Sequence, residues 1–310
     1  MKRTYLSMAI GLALGFSGAA FAGGNSATLT QDGDANSAGL TQNATTNASA
    51  SISQTGDSNG AGITQSNSVA AMSATVDTIG DNNAATIIQA ASEGSSASII
   101  QDALFGTASI SQTVATDSIA TISQVDQSEG VSATISQTGD LLLASITQSL
   151  GFNNLATITQ DGDSHSASIL QDNSWRSSAA IGQLESGNTA AISQLNMSDD
   201  ATASISQSGS GNTANIVQNY ALENGAAITQ SGSGQTANIN QGDGLAWADF
   251  NEASIVQTGA GHVANVTQLG TGVETSFNVV SIVQGDVANT ANVTQTGGAG
   301  NIASIFQGTL

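Results

Sequence analysis

The sequence predicts an all-β fold, an amyloid-like, two-sheet parallel β-solenoid of about 12 rungs made of 24 short strands. The first observation is a five-residue phrase, Ala-Ser/Thr-Ile-x-Gln, that recurs along almost the whole chain, as in Ala156-Thr157-Ile158-Thr159-Gln160. The second is the strict alternation within each copy, which is typical of a strand with one buried and one exposed face. The third is the spacing of the copies, mostly 11 or 12 residues, so that a pair repeats about every 23 residues, as in solenoid proteins.

The phrase varies little from copy to copy. Its last position is Gln in every copy but one, where Thr78 stands, and two places earlier the residue is always Ile, Leu or Val. Four places before the end the residue is Ala, except in the copy that has Val280. The copies end at residues 31, 42, 54, 65, 78, 89, 101, 112, 124, 137, 148, 160, 171, 183, 194, 207, 218, 230, 241, 257, 268, 284, 295 and 307.

The connections between copies explain why two sheets are predicted. A five-residue strand leaves six or seven residues before the next strand, which is too short for a crossover helix but long enough for an arc onto a second sheet. Strands one pair apart then stack in parallel and in register, about 4.8 Å apart. Twelve such rungs make a column on the order of 58 Å long.

Ile, Ala and Gln share one phase of the alternation, so all three are predicted to point inward. Ile provides apolar burial and Ala lets the two sheets approach closely. An inward Gln is tolerated because stacked amides can hydrogen-bond to the rungs above and below. The residues predicted on these inner ladders include Ile52, Ile63, Ile158 and Ile205, and Gln31, Gln42, Gln54, Gln65, Gln89, Gln137, Gln148, Gln160, Gln171, Gln207 and Gln218.

The arcs between strands have their own pattern. An 11-residue pair reads Gln-x-Gly-x-x-Asn-x-Ala-x-x-x-Gln, first from Gln31 to Gln42 and again from Gln54 to Gln65. A Gly just after a strand allows a positive φ, and Asn tolerates such conformations while hydrogen-bonding locally. The glycines predicted in these turns are Gly33, Gly56, Gly80, Gly139, Gly162, Gly209, Gly232 and Gly259.

This spacing resembles the curlin repeat, the unit of the secreted bacterial curli amyloid subunits, and the resemblance extends over essentially all of residues 23–310. It implies one repeat domain there, a β-solenoid that polymerises into extracellular, cell-surface fibres supporting biofilm, cell adhesion and surface attachment. It implies the protein itself as the main partner, with a nucleator and a secretion-channel protein as further partners. The Asn residues that the resemblance places on internal ladders, beside the matching Gln residues, are Asn36, Asn59, Asn83, Asn188 and Asn212.

Two features depart from the family pattern. Only Gly23 to Ser26 precede the first strand, where curli subunits generally carry a segment that directs them to an outer-membrane channel. The array is also longer than is usual for the family, and its turns have few basic residues. Both a major fibre subunit and a minor nucleator fit this pattern.

The array changes phase once. The 11-residue pairs run as far as Gln112, a lone strand ends at Gln124, and the pairs resume from Gln137. Because strands alternate between the sheets, we predict that the Gly-rich arcs lie on one edge of the column up to Gln112 and on the opposite edge from Gln137. Two longer gaps insert loops, at residues 242–252 and 269–279, which carry Trp247, Phe250 and Phe277.

Residues 1–22 are predicted to be a secretory signal peptide, with Lys2 and Arg3 before a short apolar run and a small-x-small site at residues 20–22. Removing them leaves one basic residue, Arg176, against 23 acidic ones, a formal charge of −22. That charge disfavours nucleic acids and anionic membrane surfaces as partners. No later stretch is apolar and long enough for membrane insertion, and the chain has no Cys for disulfides.

No catalytic, cofactor or metal site is predicted, and the protein is not expected to be an enzyme. The only histidines, His165 and His262, both take the Asn position of an arc and stand four rungs apart, roughly 19 Å, too far to share a metal ion. Asp-Gly-Asp triplets at residues 32–34 and 161–163 lack the spacing of calcium-binding repeats and are interpreted as turns. No Ser, His and carboxylate stand in register for nucleophilic catalysis.

The alternative function is a secreted ice-binding or adhesive β-solenoid that acts as a monomer. An ice-binding face needs a flat outward rank of Thr-x-Thr, but the outward positions are Thr-x-Thr in only two copies, Thr28/Thr30 and Thr157/Thr159. The fibre subunit is therefore favoured. The repeats also leave no room for a polar cap at either end, so end-to-end polymerisation is expected, faster with added salt and acid.

Overall fold

The computed structural model describes residues 23–242, 248–269, 277–286 and 288–308, with the backbone alone at residues 248 and 249. The predicted signal peptide and Trp247 lie outside the described residues, as do parts of both predicted loops. In chain order the strands are β1 (Ser26–Asp32), β2 (Ser37–Thr45), β3 (Ser49–Thr55), β4 (Gly60–Ser68), β5 (Ser73–Ile79), β6 (Ala84–Ala90), β7 (Ser96–Leu104), β8 (Thr107–Thr116), β9 (Ile119–Glu129), β10 (Ser132–Asp140), β11 (Leu143–Ser149), β12 (Leu155–Asp163), β13 (Ser166–Asp172), β14 (Ser178–Ser186), β15 (Thr189–Leu195), β16 (Thr202–Ser210), β17 (Thr213–Asn219), β18 (Ala221–Leu222), β19 (Gly225–Ser233), β20 (Thr236–Gln241), β21 (Ala248–Asp249), β22 (Glu252–Ala260), β23 (Val263–Leu269), β24 (Val279–Gln284), β25 (Thr290–Thr296) and β26 (Ile302–Gln307).

The strands form two 12-stranded parallel sheets, which confirms the predicted solenoid of about 12 rungs. Sheet A runs β1-β3-β5-β7-β9-β11-β13-β15-β17-β20-β23-β25, and sheet B runs β2-β4-β6-β8-β10-β12-β14-β16-β19-β22-β24-β26. A rung is one strand of each sheet with its arcs, and the repeated phrases stack in register, as with Ala27 on Ala50 and Gln31 on Gln54. Since each strand's neighbours are a whole turn away in sequence, nearly all sheet contacts join different rungs.

The interior of the column follows the predicted alternation. The Ala and Ile residues of the phrase form one continuous apolar cluster from end to end of the interior rungs; Ala156, Ile158 and their equivalents are essentially inaccessible to solvent. Each fully buried Ile contributes roughly 1.5–3 kcal/mol of apolar burial. Within the described residues no helix is present that is long and apolar enough to cross a bilayer.

The strands are longer than the five residues of the phrase, which is a correction to the sequence prediction. They continue into the arcs because the backbone there still pairs with the arc of the next rung; β9 has 11 residues and β8 has 10. A further two-stranded pair, β18 with β21, lies in the arcs and was not predicted. Arc backbones stack almost as regularly as strands do.

The predicted change of edge is confirmed. We call the edge where sheet A strands lead into sheet B strands edge one, and the opposite edge edge two. The 11-residue arcs lie on edge one as far as the β7–β8 connection and on edge two from the β10–β11 connection onward. At this change of edge the register shifts in two strand pairs, β7 with β9 and β8 with β10.

Amide ladders and the open ends of the column, a candidate functional site

The inward Gln residues of sheet B form one unbroken ladder of side-chain hydrogen bonds. In each rung Nε2 donates to the Oε1 of the Gln in the following rung, over 2.8–2.9 Å. Every bond has the same direction, from the N-terminal rung towards the C-terminal rung. The ladder comprises Gln42, Gln65, Gln89, Gln112, Gln137, Gln160, Gln183, Gln207, Gln230, Gln257, Gln284 and Gln307.

The same amides also join the two sheets. Gln112 Nε2 donates to the carbonyl oxygen of Ser96, where β7 of sheet A begins, over 3.2 Å. In the next rung Gln137 Nε2 donates to the carbonyl oxygen of Ile119 at the start of β9, over 3.1 Å. A buried amide would be costly without partners, but here both of its hydrogens and its oxygen are used.

The ladder of sheet A is interrupted at Thr78. Gln31 donates to Gln54, and an unbroken run then links Gln101, Gln124, Gln148, Gln171, Gln194, Gln218, Gln241, Gln268 and Gln295. At the gap, the buried Gln54 Nε2 and Gln101 Oε1 have no hydrogen-bond partner in the described part of the chain. The Thr78 hydroxyl is too short to reach either amide and lies 3.5 Å from the carbonyl oxygen of Ser53.

Asn side chains form a second kind of ladder at the corners of the column. Asn188 Oδ1 accepts the backbone N–H of Asn212 in the next rung, over 3.0 Å. Its Nδ2 donates to the carbonyl oxygen of Leu184 in its own arc and to that of Gly209 in the next, over 2.8 and 2.9 Å. Asn36, Asn59 and Asn83 make the equivalent contacts on edge one. Each Asn thus ties its own arc to the arc of the next rung.

The two histidines occupy this corner column on edge two. His165 Nδ1 accepts the backbone N–H of Asn188, and His262 Nδ1 accepts that of Asn289, each over 3.2 Å. The other ring nitrogen of each faces a carbonyl oxygen four residues earlier in its own arc, as an Asn Nδ2 does. Because Nδ1 must be unprotonated to accept, this geometry requires neutral imidazole rings. Burial lowers the pKa of His165, although Asp161 and Asp163 nearby act in the opposite direction.

The predicted turn glycines all have a positive φ, between 96° and 129°. They also lie very close to the next arc: a Cβ built on Gly162 would overlap the carbonyl group of Glu185, and one on Gly209 would overlap that of Gly232. Gly is therefore favoured at these positions both by the backbone conformation and by the close approach of neighbouring arcs, and Glu185, with φ 73°, takes the equivalent position in one arc.

Several serines of the 12-residue arcs were missed by the sequence prediction. Ser92 and Ser118 are buried, and their hydroxyls donate to carbonyl oxygens of the next rung, at Gln112 and Gly139. A recurrent Ser three residues after a Gln, as at Ser68 and Ser92, is the signal that could have identified part of this group.

The two end rungs are only partly covered by the described residues. Leu29, Leu40, Gln31 and Gln42 of the first rung are half-buried, whereas the equivalent residues inside the column are almost inaccessible. In the last rung Ile305 and Gln307 are half-buried as well. The first rung offers the Oε1 atoms of its two Gln residues, while in the last rung Gln295 and Gln307 donate only to backbone carbonyls of the described chain.

The outer surface carries few specific contacts. Arg176 forms an exposed ion pair with Asp199 (2.8 Å) and Asp200 (2.9 Å) of the next rung. The hydrogen bond from Arg176 lowers the pKa of Asp200. Phe250 and Phe277, both on edge one, stack with ring centroids 4.8 Å apart. Within the described residues, no three His, Asp or Glu side chains come together as metal ligands would.

This chain is a parallel β-solenoid with internal Gln ladders, a class of repeat protein in which equivalent strands stack in register. The family described as curlin associated repeat matches residues 24–66, 132–162 and 151–174. Those segments therefore match the curlin associated repeat family, and the same rungs, ladders and turn glycines continue between and beyond them. The comparison with curated proteins found no match.

Proposed function

We propose that the chain is a structural subunit of an extracellular, curli-like amyloid fibre that assembles end to end and supports biofilm matrix, cell adhesion and surface attachment. The observation that carries the proposal is the common direction of the two Gln ladders. They present amide oxygens at the first rung and amide N–H groups at the last, in the two positions that a stacked copy would fill.

The direction of the ladders favours head-to-tail assembly. If the last rung of one copy meets the first rung of another, Gln295 and Gln307 find the acceptors of Gln31 and Gln42, and the parallel backbone ladders continue. Two first rungs or two last rungs would bring like groups together. Head-to-tail contacts that repeat without closing generate filaments, and unpaired strand edges promote such addition.

Charge opposes this assembly. A formal charge of −22 without residues 1–22 makes approaching copies repel each other, and that repulsion is screened beyond roughly 8 Å in physiological salt. Carboxylates begin to take up protons as the pH falls towards about 4. Fibre growth should therefore be faster with added salt, and faster at pH 5 than at pH 7.

Residues 1–22 fit this function as a secretory signal, which would deliver the remaining chain to the outside of a bacterial cell. The extracellular location, a nucleator and a secretion channel are parts of the proposal supported by the family relationship. Mass spectrometry of protein recovered from an expressing cell would show a chain that begins at Gly23.

The decisive experiment follows fibre growth of residues 23–310 by electron microscopy and fibre diffraction, with two matched variants of the last strand. Ile305→Lys puts a charge on the inner face of the exposed end rung, whereas Ser304→Lys puts the same charge on the outer face of the same strand. We expect the unmodified chain and Ser304→Lys to form fibres with a reflection near 4.8 Å, and Ile305→Lys to remain unpolymerised. A chain that stays monomeric at high concentration, in salt and at pH 5, would refute the fibre proposal.

A further inference from the structure

The described column contains an even number of ladder strands, and this restricts how a second copy can sit on it. Sheet A ends with β25 and sheet B ends half a rung higher with β26. A copy placed with sheet A on sheet A continues both sheets at the ordinary spacing. A copy rotated by half a turn about the column axis would place its β1 on β26. Its β2 would then stand two spacings above β25, leaving a gap one strand wide, about 4.8 Å more than the ladder allows.

The inner residues agree with the setting without rotation. Extending the register of β24 on β26 by one strand puts Ala303 on Ala38, Ile305 on Leu40 and Gln307 on Gln42 of the second copy. In sheet A the same step continues the inner columns of β23 and β25 onto β1. Each apolar residue meets an apolar residue, and each amide meets an amide.

The corner columns also meet like with like. On edge one the last two corner residues of the described chain are Asn278 and Asn301, and the backbone N–H of Asn301 donates to Asn278 Oδ1 over 3.1 Å. The first two corner residues on that edge are Asn36 and Asn59, and the backbone N–H of Asn59 donates to Asn36 Oδ1 over 2.9 Å. Asn301 Oδ1 is placed to accept the backbone N–H of Asn36 from the second copy. On edge two, Asn289 of the first copy would meet Asn25 of the second copy. Within its own chain, Asn25 Oδ1 accepts the backbone N–H of Ala48.

The arcs that would meet at the junction differ in length by one residue, and the fold accommodates the same difference at its internal switch. At the junction an 11-residue arc of the second copy would lie on a 12-residue arc of the first, on edge one. The internal switch has this arrangement on edge two, where the 11-residue arc after β10 lies on the 12-residue arc after β8. There Thr138 pairs with Thr113 and Gly139 with Ala115, so that one residue bulges out and the arcs stay bonded.

We infer that copies stack with sheet A on sheet A and sheet B on sheet B, so that Ser304 of one copy lies directly on Gly39 of the next. Such stacking requires an even number of strands in the column. The lone strand β9 makes that number even. The inference rests on the proposed fibre function. On the outer face the exposed Phe306 and Ile302 then meet Thr41 and Ser37, small side chains that leave room for them. Gly39 itself has open space where a Cβ would be.

Disulfide trapping tests this register. One chain carries Gly39→Cys and a second carries Ser304→Cys; the protein has no Cys of its own, and positions 39 and 304 are 11 rungs apart in one copy, on the order of 53 Å. Parallel neighbours in register lie within the Cα separation that a disulfide accepts. The control pair combines Ser304→Cys with Thr28→Cys, whose position would face residue 304 in the rotated setting.

We expect oxidised mixed fibres of the first pair to yield at least roughly tenfold more covalent dimer than those of the control pair, with no dimer in dilute monomer. Circular dichroism confirms that each single-Cys chain is folded. If fibres form but the control pair dimerises instead, or neither pair does, the register is wrong although the fibre function stands. If no chain, including the unmodified one, forms fibres, both the register and the fibre function fail.

Discussion

The gap in the sheet A ladder makes Thr78→Gln a stabilising substitution. Thr78 leaves two buried groups, Gln54 Nε2 and Gln101 Oε1, without partners in the described chain. A Gln at residue 78 would stand in register with both, as Gln89 stands between its own neighbours in sheet B. Its Oε1 would accept from Gln54 and its Nε2 would donate to Gln101.

The expected gain follows from the cost of the unpaired groups. Leaving a buried donor or acceptor unpaired costs roughly 1–3 kcal/mol, so satisfying two restores about 2–6 kcal/mol. Ordering a Gln side chain takes back up to about 2 kcal/mol. The net stabilisation should be about 2 kcal/mol, and Gln148→Thr, which creates the same gap inside the intact run, should lose a similar amount.

Denaturant unfolding of the monomer measures both changes, and hydrogen exchange locates them. Solenoid stability is approximately a sum over neighbouring rungs, so the gain should appear as slower exchange in β3, β5 and β7 and little change in β20 to β25. If Gln148→Thr is destabilised by about 2 kcal/mol while Thr78→Gln is no more stable than the parent, the gap at Thr78 is already satisfied, and the reasoning is refuted.

Three further substitutions test other parts of the column. Gly162→Ala should destabilise the monomer by about 3 kcal/mol or more, because Gly162 has a positive φ and a Cβ there would overlap the next arc. The control Gly182→Ala, on an open outer face, should change stability by less than about 0.5 kcal/mol. Thermal unfolding compares the two variants. His165→Asn should remove part of the stability loss between pH 7 and pH 5, measured as the unfolding midpoint at both values, and an unchanged pH dependence would contradict the neutral-ring geometry. Arg176→Ala should leave the unfolding midpoint nearly unchanged, since the ion pair is exposed, while NMR titration shows the pKa of Asp200 rising back towards its ordinary value.

The sequence predicts the fold well because few arrangements satisfy its alternation. A one-residue slip of any strand would move Ile158 and Gln160 to the outer face and Thr159 to the inner one, so the register of each phrase is strongly specified. The lone strand ending at Gln124 then determines the edge of every later arc. Both results follow from counting residues, since each arc is too short to do anything except join adjacent sheets.

Counting residues does not predict the backbone conformation of the arcs or the hydrogen bonds of the ladders. Non-Gly residues such as Leu141 and Phe105 adopt a positive φ there, against their own preference, because the arc beneath already sets the backbone path. The two unpaired atoms beside Thr78 depend on the reach of one side chain. The common direction of the amides depends on which carbonyl oxygens of the opposite sheet face each Nε2, which no spacing of residues reveals.

Acid should act on this protein in two opposing ways, at different places in the fold. Outside the column it reduces the repulsion between copies and so favours growth. Inside, it charges His165, whose Nδ1 faces a backbone N–H and whose pKa is lowered by burial. A lowered pKa means that this contribution to stability is complete above about pH 6.5, the ordinary His value, and is lost as the pH falls below it towards the pKa of the folded state. Fibre growth and monomer stability should therefore change in opposite directions between pH 7 and pH 5. In His165→Asn the faster growth should persist while the loss of stability is reduced.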